Sequence, residues 1–190
     1  MLIEVSWLGR GGQGAVTASR LLAKALVKEN LWAQSIVFFG AERRGAPVYA
    51  YNRISDKYIK YHHFVHNPDV AIVFDESLLK ITNILDQIKE SGTLILNSTR
   101  VPEDLIGNRK KLKIAIVNAT DIALELELTV AGIPVVNTAM IGAFAKVMNI
   151  PSIDAVVETI KETWPGKMGE LNAKAARYAY EKTEVVRNLD

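Results

Sequence analysis

Gly9-Arg10-Gly11-Gly12-Gln13-Gly14 is the stretch on which the fold of this chain turns. On its amino side, residues 2–8 place Ile3, Val5 and Trp7 in alternation with Glu4 and Ser6, the period of a half-buried strand. On its carboxyl side, residues 15–28 repeat Ala15, Ala18, Leu22, Ala25 and Leu26 at helical spacing. The glycines therefore occupy a strand-to-helix turn. Such a turn leaves backbone N–H groups at the helix start without intrahelical acceptors, and an anion satisfies them. Glycine lets the backbone take positive φ and lets a bulky phosphate come close. Gly9, Gly11 and Gly14 fit the spacing G-x-G-x-x-G. A tight turn that packs a helix closely on a strand needs the same glycines.

A dinucleotide site requires one thing more, an acid at the end of the second strand that holds a ribose. The second strand is expected over 34–39, ending in Phe38-Phe39-Gly40. Glu29 precedes it and Glu42 follows it within a basic loop, so the acid is out of place. The turn reads as a phosphate site rather than an NAD site.

Composition narrows the classes. The chain has 190 residues, 49% hydrophobic and 23% charged, which suits one soluble domain with its own core. No apolar run approaches the ~20 residues of a membrane helix, and no signal-peptide layout opens the chain, so a cytoplasmic protein is expected. Without cysteine the chain supplies neither disulfides nor thiolate ligands to an iron–sulfur cluster. The net charge of +2 disfavours a broad nucleic-acid surface. Residues 1–66 nevertheless carry 9 Lys+Arg against 4 Asp+Glu, and residues 67–190 carry 14 against 17. The positive part contains the glycine turn and favours an anionic ligand there.

Further along, residues 39–47 bracket Glu42, Arg43 and Arg44 between glycines and Pro47, which reads as a loop. A strand over 48–54, a Ser55-Asp56-Lys57 turn and an extended 58–61 predict a β-hairpin. His62 and His66 would share a helix face and could ligate zinc, but Pro68 disfavours helix and no other ligand stands at the right spacing. Buried strands are expected at 70–74, 93–96 and 114–117. Helices are expected at 77–90 with Gly92 as its cap, at 122–130 capped by Thr120 or Asp121 and ended by Gly132, at 138–148 capped by Asn137, at 152–162, and from 170 toward 186. Residues 102–113 read as a charged loop with a short helix.

Strands alternating with helices predict an α/β fold: a single domain over 1–190, with a largely parallel central sheet, one β-hairpin and helices on its faces. Ligands of such sheets lie at the carboxyl ends of the strands. The glycine turn, the Glu42–Arg44 loop, Asp75-Glu76 and Asn97-Ser98 should then share one rim.

Taken together, residues 9–15, residues 39–47, Asn52-Arg53-Ile54, Pro68-Asp69 with Val73-Phe74-Asp75, Asn137-Thr138, and Gly169 with Asn172, Ala173, Ala176 and Tyr180-Glu181 resemble the gamma subunit of the 2-oxoacid:ferredoxin oxidoreductases. The pyruvate and branched-chain members are the nearest in pattern, and the likeness spans essentially the whole chain. It implies an enzyme that cleaves a 2-oxoacid on thiamine diphosphate, reduces ferredoxin through iron–sulfur clusters and transfers the acyl group to coenzyme A. It implies alpha, beta and delta subunits as partners, with thiamine diphosphate and the clusters on those chains and no metal on this one. It leaves a homodimer of the isolated chain open, and it predicts that this chain alone is inactive.

For this chain the resemblance implies the coenzyme A site. Gly9, Arg10, Gly11, Gly12, Gln13 and Gly14, with Arg43 and Arg44, would face the phosphates; Arg53 is counted with them, and Asn137 would lie near the thiol end. Arginine forks suit bidentate phosphate contacts. Equally, an arginine pair suits a subunit interface, where Glu42 would orient or pair with it. Two other readings stand beside this one: an independent NAD- or FAD-dependent oxidoreductase, and a non-catalytic scaffold subunit.

Overall fold

The computed structural model describes residues 1–37, 45–61, 63–106 and 111–187. In chain order its elements are β1 (Leu2–Arg10), α1 (Ala15–Lys28), β2 (Trp32–Val37), β3 (Pro47–Ser55), β4 (Val70–Val73), α2 (Leu78–Ile81), α3 (Ile84–Gln87), β5 (Thr93–Asn97) and α4 (Glu103–Ile106). There follow β6 (Lys113–Val117), α5 (Ala119–Glu125), β7 (Thr129–Val130), β8 (Ile133–Pro134), α6 (Asn137–Met148), α7 (Ile153–Thr163), α8 (Lys167–Lys182) and β9 (Glu184–Arg187). Seven strands form one sheet in the order β2-β3-β1-β4-β5-β6-β9, and β7 pairs with β8 apart from it. The central run β1-β4-β5-β6 is parallel; β3 and β2 extend it antiparallel on one side and β9 on the other.

The α/β architecture agrees with the expected fold class, and several local expectations are corrected. The hairpin joins β3 to β2, not to residues 58–61, which form no strand. The reason is that β3 is paired on both sides, Leu2 and Trp32 each facing Ser55, so no edge is left for a following segment. The helix expected over 77–90 breaks into α2 and α3 at Thr82, whose backbone is extended and whose Oγ1 donates to the Leu78 carbonyl at 2.7 Å. That bond competes with the helical ladder. Ser91, not Gly92, takes the left-handed conformation there.

The helix expected over 122–130 starts earlier, because Asn118, rather than Thr120 or Asp121, caps it by accepting from the Asp121 N–H. Gly132 lies in the two-residue turn between β7 and β8. Asn137 is the first residue of α6 rather than its cap. The last helix stops at Lys182. Thr183 bonds back to the Ala179 carbonyl, and the β-branched Val185 and Val186 pair with Ala115 and Ile114 instead of continuing the helix.

The two faces of the sheet are covered unequally. On one face α1, α5, α6, α7 and α8 bury Val5, Trp7, Ile72, Phe74, Ile95 and Ala115 in the larger core. Here α6 meets α8 so closely that a Cβ on Gly142 would collide with the Ala176 carbonyl oxygen. Trp7 is fully buried among Phe74 and Phe144, and its Nε1 donates to Asn52 Oδ1 at 2.7 Å. Asn52 in turn donates to the Ser19 and Gln34 carbonyls, tying β3 to α1 and β2. On the other face the short helices α2, α3 and α4 cover Leu8, Ala71, Val73, Leu94 and Leu96. Over β1, β3 and β2 that cover gives way to residues 56–61 and 63–67, which have neither helix nor strand.

Candidate functional site at the carboxyl end of β1

β1 ends at Arg10 and α1 begins at Ala15, so the glycine turn lies between them as the spacing predicts. Gly14 precedes the helix with φ 87° and ψ 28°, a left-handed conformation that a Cβ disfavours. A Cβ there would also come within 2.8 Å of Asn137 Nδ2. Glycine at this position thus lets α1 and α6 start side by side, both amino ends at the sheet's carboxyl rim. The turn is braced internally: Gly11 N–H donates to the Ala46 carbonyl at 3.0 Å, Gln13 N–H to the Arg10 carbonyl at 3.0 Å, and Arg10 N–H to Gln13 Oε1 at 2.7 Å. The N–H groups of Ala15, Val16 and Thr17 head α1, where no preceding turn offers an acceptor. With the aligned peptide dipoles they form a positive mouth.

From β1 the chain crosses to β2 on one side, and from β4 it proceeds to β5 on the other. The crevice between the ends of β1 and β4 is therefore the switch point at which α/β sheets take ligands. Arg10 and Asp75 close its floor. Arg10 Nε donates to Asp75 Oδ2 at 2.7 Å, Nη1 to the Gly45 carbonyl at 2.9 Å and Nη2 to Ser77 Oγ at 2.7 Å. Burial pushes the Asp75 carboxyl up, but hydrogen bonds from Ser77 and Arg10 outweigh it and hold the carboxyl below the usual carboxylate range. With all its nitrogens committed, Arg10 orders the turn and the start of the β4–α2 connection.

Two clefts flank the turn. One, of about 240 Å³, is polar and lined by Gln13, Asp75, Glu76, Asn97 and Thr120. Asn97 is the staple there. Its Nδ2 donates to the Phe74 carbonyl and Thr120 Oγ1, and its Oδ1 accepts from Ala119 and Thr120 N–H. Glu76 is engaged by Ser98 Oγ at 2.8 Å. The other cleft, of about 340 Å³, is more apolar and runs along Asn137 between Leu128, Val130, Val135, Trp164 and Met168. Buried Thr138 joins Asn172 on α8 at 3.0 Å, next to this cleft.

The structure thus brings Gly9, Arg10, Gly11, Gly12, Gln13, Gly14 and Asn137 together with Asp75-Glu76 and Asn97-Ser98 on one rim. Arg43, Arg44, Glu42 and His62 lie outside the described residues. Arg53 is not at this rim, which corrects its grouping with the phosphate-facing residues. It pairs in register with Glu4, about 20 Å down the strand from Arg10, and is wholly buried. Its Nε donates to Glu4 Oε1 at 2.9 Å, and its Nη2 reaches the Phe64 carbonyl and His63 Nδ1. Residues 63–66 are not helical, so His66 has no helical partner face. Sequence reasoning missed the Arg10–Asp75 lock, 65 residues apart, and the structural role of Asn97.

The sequence model of the family described as pyruvate ferredoxin/flavodoxin oxidoreductase matches residues 4–182. The chain is 47% identical, over 97% of its length and 98% of the relative's, to the pyruvate/ketoisovalerate oxidoreductases common subunit gamma of Pyrococcus furiosus. It is 46% identical, over 98% of both chains, to pyruvate synthase subunit PorC of Methanothermobacter thermautotrophicus. A crystal structure of pyruvate oxidoreductase subunit PORC from Thermotoga maritima superposes with a TM-score of 0.83 at 34% identity, covering 98% of this chain and 99% of that one.

Proposed function

This chain belongs to the pyruvate ferredoxin/flavodoxin oxidoreductase family, and we propose that within such an enzyme its glycine turn holds coenzyme A. It is a gamma-type subunit of a pyruvate or related 2-oxoacid oxidoreductase, so companion chains are implied. On this reading thiamine diphosphate and the iron–sulfur clusters reside on alpha, beta and delta chains, and ferredoxin takes the electrons from the assembly. Thiamine diphosphate supplies the cleavage chemistry there. The present chain, one domain over 1–190 and inactive by itself, binds and orients the acyl acceptor.

The observation that carries the reading is the left-handed Gly14 at the head of α1, which opens the helix N-terminus at the switch-point crevice. A diphosphate fits backbone N–H groups at such a mouth. Arg43 and Arg44 are proposed to approach it, since the residue that follows them, Gly45, is held to Gly11. The apolar cleft beside Asn137 suits the coenzyme's uncharged arm, with Asn137 toward the thiol. Arg10 acts as a positioning residue rather than a phosphate ligand, since each of its three nitrogens already donates, to Asp75, Gly45 and Ser77.

The sheet order speaks against the NAD reading. In a dinucleotide fold the second strand lies beside the first, whereas here β3 separates β2 from β1. The decisive test is Gly12→Asp against Gly12→Asn in the assembled enzyme. Gly12 is exposed with φ 104°, and Asn and Asp tolerate positive φ better than other side chains. The Asp variant, which adds a charge beside the phosphates, should raise KM for coenzyme A by roughly tenfold over the Asn variant, about 1.4 kcal/mol. Equal KM values for both variants would remove the coenzyme from this turn.

A further inference from the structure

The end of the sheet farthest from the glycine turn has an unusual surface. Leu2, Ser55 and Trp32 stand side by side across β1, β3 and β2 on the thinly covered face. Residues 56–61 and 63–67, an arm, lie over the next row of that face. The arm is held there by Gln34 Nε2 on the Ile59 carbonyl at 3.4 Å and by Arg53 on the Phe64 carbonyl at 3.3 Å. Within the arm only Ile59 and Val65 are buried apolar anchors. Tyr58, Tyr61 and Phe64 on the arm are 62%, 54% and 44% exposed, and Trp32 and Leu2 at the starts of β2 and β1 are 50% and 46% exposed. Trp32 and Tyr58 meet edge to face at 5.1 Å. With Met1, these residues are half of the large apolar side chains exposed among the described residues.

Single exposed apolar residues are ordinary, but several gathered on one arm and on the strand ends at the same end of the sheet mark an interaction surface. Tyr and Trp are also the residues that dominate binding hot spots. The rim here is positive. Lys57 and Lys60 stand exposed beside the aromatics, while Asp56, the one acid of the arm, is bonded to the amino terminus at 2.7 Å. Among the described residues no strand pairs with the outer edge of β2.

We propose that this face, built from Trp32, Tyr58, Tyr61 and Phe64 with Lys57 and Lys60, docks another subunit of the same oxidoreductase through an apolar hollow rimmed by carboxylates. The sign of the rim selects an acidic partner and sets like charges against each other in a pairing of two copies. Docking at this end leaves the glycine turn, at the opposite end of β1, free for its ligand. The proposal rests on the chain being one subunit of a multichain enzyme, and it is independent of where coenzyme A binds.

Zero-length carbodiimide coupling of the assembled enzyme tests it, because that reagent joins a lysine only to a carboxylate in contact. Mass spectrometry should find Lys57 or Lys60 joined to an Asp or Glu of a different subunit. Lys57→Glu with Lys60→Glu, and separately Tyr58→Ala, should each cut the share of chain recovered in the complex by roughly tenfold. All three positions are exposed, and unchanged circular dichroism would show the fold intact. Three results would overturn the proposal: links joining two copies of this chain, both variants assembling like the parent, or single-stranded oligonucleotide binding by the enzyme that the double variant abolishes. KM for coenzyme A, read on whatever complex remains, reports on the glycine turn alone and so fails or holds separately.

Discussion

The two ends of β1 each carry an arginine paired with an acid, and they handle charge in opposite ways. At the carboxyl end Arg10 and Asp75 are half-buried, with side chains 31% and 27% exposed, and Ser77 and Gly45 complete the network. At the other end Arg53 is wholly buried against Glu4, and among the described residues its Nη1 has no hydrogen-bond partner. Water reaches both partners at the first end; at the second it is excluded from Arg53, while Glu4 keeps 18% exposure and lies 3.7 Å from Lys89. The first end keeps its backbone N–H groups open at the head of α1, as a ligand mouth requires. The second end anchors the described part of the aromatic arm, residues 56–61 and 63–67, which rests on it without helix or strand.

The sharpest way to expose that difference is to remove each guanidinium in turn. Arg53→Met leaves Glu4 without its buried partner and should cost about 3–5 kcal/mol of stability, read from the urea midpoint. Arg10→Met should cost only about 1–2 kcal/mol, because water can replace its contacts. Equal losses would mean the two ends are not distinct. Next in size, Gly14→Ala puts a Cβ against Asn137 in a left-handed backbone and should cost about 1–3 kcal/mol, with weaker coenzyme binding in the assembled enzyme.

The smallest effect is a pH dependence at the glycine end. Since the folded Asp75 carboxyl is held below its ordinary range, its contribution is present above the unfolded value of about 4 and is lost as pH falls through the folded value. Asp75→Asn should therefore flatten the acid limb of the stability curve below about pH 4, by less than ~1 kcal/mol. An unchanged limb would show that Arg10 and Ser77 do not favour the ionised carboxyl.

Much of the candidate site was legible because its elements are local. The turn 9–14 announces itself through glycine spacing between a period-two and a period-3.6 segment, and α1 begins and ends where that periodicity does. Ser152 was likewise visible as a helix start and does cap α7 through the Ala155 N–H. Where expectation failed, a distant partner or a side-chain bond had overridden the local pattern. Residues 58–61 have strand composition but met a strand already paired on both sides. Residues 184–187 look like a helix end until the free edge of β6 takes them. Arg53 stood in a polar motif that suggested a ligand, and only register placed it beside Glu4 at the far end of the sheet.

What the sequence alone determined is the alternation of strands and helices, the glycine turn and the lack of thiolate ligands, since each follows from short-range periodicity, backbone freedom or composition. The tertiary structure alone decided which distant groups meet: Arg10 with Asp75, Arg53 with Glu4, and the Asn137 side chain with Gly14. Those pairings depend on strand order and register, which are set by the burial of whole faces and are not written in the spacing of any one segment.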